Sequence, residues 1–440
     1  MNVLFISLGC DKNLVDSEVM LGLLAEKGHQ MIDDETQADV IVVNTCCFIH
    51  DAKEESIQTI LEMAEYKKSG SLKALIVTGC LAQRYQKEIV DEIPEVDAVL
   101  GTTSYDKIVE AIDKALQGEV MIELNDIDAL PKVNTNGILT TGGHYAYMKI
   151  AEGCDKHCTY CIIPKIRGNF RSVPMEQLLK EAEVLAEQGV KELILVAQET
   201  TLYGKDIYGE KSLHKLLREL CKVEGIQWIR ILYCYPEEID DNLIQVMKEE
   251  PKICHYLDLP IQHASDRILK RMGRRTSKAQ LVEIIEKLRK EIPDIALRTT
   301  LITGFPGETQ EDHEEVMEFV DQMEFDRLGV FTYSPEENTP AAIMPDQIDE
   351  EVKEERQAEI MELQQEIAFD LAEDMEGREV LVMIEGKVAD ENAYVGRTYK
   401  DAPNVDGLIF VESDEELMSG DFARVRVTGA LEYDLIGEII

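Results

Sequence analysis

Gly153-Cys154-Asp155-Lys156-His157-Cys158-Thr159-Tyr160-Cys161 places three cysteines at C-x-x-x-C-x-x-C spacing. Three thiolates so close in sequence can converge on one metal centre, and their number decides its chemistry. Iron–sulfur clusters are usually held by four cysteines, so a four-iron cluster held by three leaves one iron open to another ligand. The alternative is a structural zinc with His157 as the fourth ligand. His157 directly precedes Cys158, which sets its ring poorly to complete a tetrahedron. Upstream, Tyr145 to Ala151 alternates as a strand does and delivers the chain into the motif. Downstream, strand-like runs recur at 192–197, 228–233, 255–259, 296–302 and 328–332, with helical stretches such as 175–188 and 278–291 between them. This predicts six β/α units over residues 144–348, a partial TIM-like (β/α)6 barrel with its function at the C-terminal strand ends. The cysteine motif stands at such an end. So do Gln198-Glu199, Tyr235-Pro236, Gln262-His263 and the turn from Gly304 to Glu308.

Outward from the motif, residues 1–125 also alternate strand and helix. Val3 to Gly9, Asp39 to Asn44, Leu72 to Thr78 and Val96 to Leu100 read as four strands, with helical spacing over 16–27, 52–68 and 105–117. The pattern predicts a doubly wound α/β domain with a parallel sheet. Cys10, Cys46 and Cys80 each fall at the C-terminal end of a predicted strand, and ligands bind beyond those ends in open parallel sheets. A lone cysteine there would read as a small buried hydrophobe. Three at the same station predict a second three-cysteine metal site, with Cys47 as a spare neighbour. Cys221, Cys234 and Cys254 have no partner spacing and read as structural thiols.

Residues 126–143, with Pro131, Gly137, Gly142 and Gly143, read as a linker. Residues 349–376 are dense in charge, with Val352, Ile360, Leu363, Ile367 and Leu371 at helical spacing, and predict a connecting helix that leaves the barrel and props the last domain. From 377 to 440 the period changes to two, and five short β-branched runs predict a small OB-like β-barrel. The whole chain of 440 residues carries 45 basic and 87 acidic residues, a formal charge of −42. That charge repels a phosphate backbone, since nucleic-acid affinity rests on Lys and Arg, and attracts a basic partner over long range. No apolar run approaches the length of a membrane span. The N-terminus carries no basic leader, and the ten cysteines do not resemble a secreted disulfide framework. The expectation is a cytoplasmic protein without membrane partners.

Cys154-x-x-x-Cys158-x-Tyr160-Cys161, following a barrel strand, resembles the radical S-adenosylmethionine superfamily. Gly9-Cys10, Asn44-Thr45-Cys46 and Gly79-Cys80, followed by the barrel and a terminal module of TRAM type, resemble the methylthiotransferases over essentially the whole chain. One branch of that family modifies an adenosine in tRNA, the other an aspartate in small-subunit ribosomal protein twelve. The segments Cys10 to Glu18 and Asp401 to Gly407 are similar to the ribosomal-protein branch. Residues 376–440 hold 6 basic against 15 acidic residues, a net of −9, whereas an RNA-gripping OB-like module needs a positive groove. The resemblance implies two 4Fe-4S clusters, on Cys10, Cys46 and Cys80 and on Cys154, Cys158 and Cys161. It also implies S-adenosylmethionine as the radical source, with Gly304, Pro306 and Gly307 approaching it, and an electron donor such as flavodoxin or ferredoxin. Gln198 and Arg298, at strand ends, are further candidates for its polar groups. The substrate implied is ribosomal protein twelve, free or in the assembled subunit, rather than tRNA. A non-enzymatic iron–sulfur carrier is the rival from another class.

Overall fold

Val40–Thr45 and Ala74–Gly79 are buried along their whole length, as the central strands of a parallel sheet covered on both faces must be. The computed structural model describes residues 1–70, 72–130, 137–389 and 392–440. Residues 131–136, the middle of the expected linker with Pro131, lie outside them. The first sheet is parallel throughout, in the order Gln30–Ile32, Asn2–Ser7, Val40–Thr45, Ala74–Gly79, Ala98–Leu100, Met121–Glu123. Ile41, Val43, Leu75 and Val77 face one helical layer; Val40, Val42, Ala74 and Ile76 face the other. Four strands were expected and six are present. The two additions are three-residue edge strands, too short to carry a period. The first helix, Asp11–Glu26, starts at Cys10 rather than at Asp16.

The central sheet is also parallel and runs in sequence order: Tyr145–Lys149, Glu192–Val196, Trp228–Ile231, Ile253–Gln262, Ala296–Thr303, Arg327–Thr332. It is an open, partial barrel of six strands. Leu193, Leu195, Ile229 and Leu257 pack outward against helices, while Ile194, Val196, Trp228 and Tyr256 line the concave side. The charged helix Glu350–Glu373 does not leave the barrel. Gln357 and Gln364 donate to the Val330 and Phe325 carbonyls at 2.7 Å each, and Ile360 and Ile367 join the barrel core. Only its last turn, with Ala372, reaches the terminal domain.

That terminal domain is a closed five-stranded barrel, Glu379–Lys387, Ala393–Arg397, Ile409–Glu412, Asp434–Ile439, Phe422–Leu431 in order around it. Met383 and Ala402 enter the concave cluster of the central barrel. At the start of the second central strand, buried Glu192 accepts from Arg230 at 2.8 Å and from Arg397 at 2.7 Å. The small barrel therefore closes the N-terminal end of the central one, the end opposite the cysteine motif.

Candidate active site: two cysteine triplets at one domain interface

The first sheet has the strand order 2-1-3-4-5-6, which reverses direction between its first and third strands. Cys10 and Cys46 follow those two strands, at the switch point where open α/β sheets bind ligands, and Cys80 follows the next strand. Two glycines bring the thiols together. A Cβ on Gly9 (φ +86°) would lie 2.7 Å from Cys46 Cβ, and one on Gly79 (φ +91°) would lie 2.6 Å from the Thr45 carbonyl oxygen. The loops are tied by buried amides and hydroxyls. Asn13 donates to the Leu8 and Thr45 carbonyls at 3.0 and 2.9 Å. Asn44 donates to the Asn13 carbonyl at 2.9 Å and to Ser17 at 2.8 Å. Ser56 Oγ accepts from Cys46 N and donates to its carbonyl.

The second triplet lies between the short paired strands Ala151–Glu152 and Arg171–Ser172. Gly153 (φ +78°) passes so close to Asn169 that a Cβ would lie 2.0 Å from its carbonyl oxygen. Cys154 N donates to the Gly168 carbonyl at 3.1 Å, and Thr159 N to the Met272 carbonyl at 2.9 Å. His157 is exposed, in the left-handed region at φ +53°, whereas Cys154 and Cys158 are buried. A tetrahedral zinc with bonds of about 2.3 Å needs sulfurs about 3.8 Å apart. Among the described residues no three His, Cys, Asp or Glu side chains are grouped closely enough for a single ion. A multi-iron cluster spans more widely spaced thiolates. Burial raises Cys46 to about 12 and Cys154 to about 11, each helped by a neighbouring thiol of its own triplet, so metal binding must draw protons off them.

Between the triplets lies a buried ion network. Arg167, six residues past Cys161, donates to Asp16 at 2.8 Å, to Glu152 at 3.2 Å and to Asn13. Lys149 bonds Asp16 and, at 2.7 Å, Glu152. Burial alone would raise Glu152, but Lys149 and Arg167 hold it below the ordinary carboxylate range. Gln198 Nε2 donates to Glu152 at 2.7 Å. Around the second triplet Gln198 Oε1 and Arg274 Nε and Nη1 are buried without a hydrogen-bond partner, while Glu199 Oε2 lies 3.5 Å from Lys156 Nζ. Glu199 acts on Cys154 and Arg274 on Cys158.

The other candidates are placed as follows. Gly304 and Gly307 take positive φ, against Lys353 and the Arg271 guanidinium, and Pro306 O accepts from Arg271 at 3.0 Å. Arg298 lies 3.4 Å from both Asp258 and Asp406, on the side of the terminal domain. Cys47 is fully buried in the first domain's core, and Cys221, Cys234 and Cys254 in the central ones.

Residues 2–101 match the uncharacterized protein family UPF0004, residues 148–320 the radical SAM superfamily and residues 377–440 the TRAM domain. A protein of Lachnoclostridium phytofermentans named ribosomal protein uS12 methylthiotransferase RimO is 69% identical over 99% of both chains. The chain belongs to the RimO methylthiotransferase family. Proteins of the same name from Clostridium botulinum and Clostridioides difficile are 54% and 50% identical, over 99% of this chain and 98% of each of theirs. As a member of that family the protein is an enzyme, a transferase of the radical SAM superfamily. Among solved structures, the radical S-adenosylmethionine methyltransferase TsrM of Kitasatospora setae shares the fold, with a TM-score of 0.56 at 14% identity over 78% of this chain and 74% of that one. Sequence reading had missed Asn13, Asp16, Lys149, Glu152 and Arg167. Asn13 and Asp16 stand inside the quoted Cys10–Glu18 segment, but nothing in spacing pairs them with residues more than 130 positions away.

Proposed function

We propose that the enzyme methylthiolates the β-carbon of an aspartate in ribosomal protein uS12, using two 4Fe-4S clusters and two molecules of S-adenosylmethionine. The observation that carries this reading is the pair of three-cysteine sites on either side of one domain interface, in a chain of this family. Cys154, Cys158 and Cys161 would hold one cluster, and Cys10, Cys46 and Cys80 the other. The residues fit these groups. The thiols of each triplet lie near enough to act on one another electrostatically, and the unpartnered atoms of Gln198 and Arg274 beside the second triplet suit a ligand carrying ammonium and carboxylate groups.

When bound, these groups supply what no side chain can: one-electron cleavage of S-adenosylmethionine to a radical able to take hydrogen from an unactivated carbon, a sulfur, and a methyl group from the second molecule. The chain binds, orients and excludes water. Gln198 Oε1 offers an acceptor to an ammonium, and Arg274 two N–H donors to a carboxylate. Gly304, Pro306 and Gly307 shape the rim of the same mouth by backbone. Arg298, bound to Asp258 and Asp406, supports the chamber from below. The first domain roofs the mouth: Arg84 pairs with Glu336 at 2.8 Å, and Lys12 lies over the Tyr233 ring. A charge of −42 favours encounter with a basic ribosomal protein in the cytoplasm, with flavodoxin or ferredoxin as electron donor.

The test is anaerobic incubation with uS12, S-adenosylmethionine and a reductant, with mass analysis for the added methylthio group. Cys154→Ala should make no 5′-deoxyadenosine. Cys46→Ala should make it yet form no methylthiolated protein. Product from Cys46→Ala at the parent rate sinks the two-cluster assignment. Methylthiolated tRNA with unmodified uS12 sinks the substrate, and a parent enzyme that makes no 5′-deoxyadenosine is the iron–sulfur carrier instead.

A further inference from the structure

The loop that leaves Cys161 does not return directly to the central barrel. Ile162 and Ile166, 2% and 1% exposed, pack into the hydrophobic core of the first domain. Thr102 Oγ1 donates to the Ile166 carbonyl at 2.8 Å. This arm carries Arg167, itself 2% exposed, into the space between the two triplets. There its guanidinium holds residues from both sides. Asp16 and Asn13 belong to the helix that begins at Cys10, and Glu152 stands two residues before Cys154. Lys149 bridges the same two carboxylates from the first barrel strand. Arg167 also stands beside the Cys80 thiol, which in turn lies 3.8 Å from Asn13 Oδ1.

We propose that Arg167 is a positioning residue that sets the register between the Cys10/Cys46/Cys80 site and the Cys154/Cys158/Cys161 site and supplies the fixed positive charge facing the former. This rests on the two-cluster reading above. A rigid fork of N–H donors can span Asp16, Glu152 and Asn13 at once, which a lysine ammonium cannot do with the same geometry. The charge matters because a four-iron cluster on three thiolates is anionic and becomes more so on reduction. A buried cation beside it raises its reduction potential, one of the levers that set such potentials.

The test uses the full chain. In a Cys154→Ala/Cys158→Ala/Cys161→Ala background the remaining iron belongs to the first triplet, and its potential can be read by reductive titration followed by paramagnetic resonance. Arg167→Met should load the same iron but shift the potential negative, and Arg167→Lys should restore most of the shift. In the otherwise unmodified enzyme, Arg167→Lys should keep 5′-deoxyadenosine formation near the parent rate. Its methylthiolated product should fall on the order of tenfold or more, the scale on which a misplaced reacting group costs rate. Iron loaded at an unmoved potential in Arg167→Met overturns the electrostatic part. Should Arg167→Met fail to fold, the product-to-cleavage ratio of Arg167→Lys decides, and a ratio equal to the parent's overturns the register. No iron at all in the triple-cysteine background refutes the two-cluster reading instead, a result separate from both.

Discussion

Gly9 and Gly79 show how closely the first triplet is built. Each precedes a cysteine and takes a positive φ where a side chain would strike a neighbouring strand end. A left-handed backbone costs a non-glycine residue about 1–2 kcal/mol, and the clash adds to it. Gly79→Ala should lower the melting temperature and, where the chain still folds, remove iron from the first site while leaving 5′-deoxyadenosine formation. Equal iron in variant and parent would contradict the close approach. A second residue-scale case is Glu181, which lines a small cavity of about 30 Å³ with Val15, Glu18, Leu139 and Tyr147. Burial pushes its carboxyl up to about 7, with Lys149 opposing and Glu18 adding. A carboxyl raised on folding binds its proton more tightly in the native state, so stability is lost as pH rises from its unfolded value towards 7. Glu181→Gln should therefore melt higher than the parent at pH 8, by on the order of 1–3 kcal/mol, and match it at pH 5. A gain of equal size at both pH values would point to packing rather than charge.

At the scale of elements, the segment Asp401 to Gly407 acts as a plug. Asp401 pairs with Arg327, and Asp406 accepts from Tyr256 OH at 2.7 Å and from Ala402 N at 2.8 Å beside Arg298. Gly407 lies so near the Tyr433 carbonyl that a Cβ would stand 2.2 Å from it. The sequence similarity that marked this segment therefore falls on a buried joint. Asp406→Ala leaves Arg298 and the Tyr256 hydroxyl short of a partner, which for a broken buried pair costs about 3–5 kcal/mol. Limited proteolysis between the central and terminal domains should quicken and the melting temperature fall, while iron content stays at the parent value. Iron lost in step with the fold would show that the plug also supports the cysteine sites. The long helix Glu350–Glu373 illustrates the converse. Its pattern suggested a helix that leaves the barrel to prop the last domain, but Gln357, Ile360, Gln364 and Ile367 hold it against the barrel while Ala372 meets the terminal domain.

For the whole molecule, the central barrel is capped at both ends. The α/β domain covers the C-terminal mouth, where Cys154 lies, and the small β-barrel seals the opposite end, a strand length of roughly 20 Å away. With a charge of −42, encounter with a basic protein should weaken as salt screens it, over a Debye length of about 10 Å at 0.1 M. Raising ionic strength should lower kcat/KM for the protein substrate while leaving partner-free cleavage of S-adenosylmethionine unchanged. A salt-independent kcat/KM would exclude steering by net charge.

Both parallel sheets, the six-strand count of the central one and the terminal barrel were legible in the chain. They rest on local quantities: period and run length. The edge strands Gln30–Ile32 and Met121–Glu123 were not, because three residues carry no period and take their conformation from the strands beside them. The course of the charged helix and the seat of the small barrel depend on which surfaces meet. The same is true of the ions between the triplets. Arg167 and Asp16 are 151 positions apart, and no spacing relates them. The amino-acid order alone sets three cysteines after strands of the first sheet and three more in one nine-residue stretch. That the two groups share one interface, with Arg167 between them, was decided by packing, because a buried charge is tolerable only where the fold brings its partners.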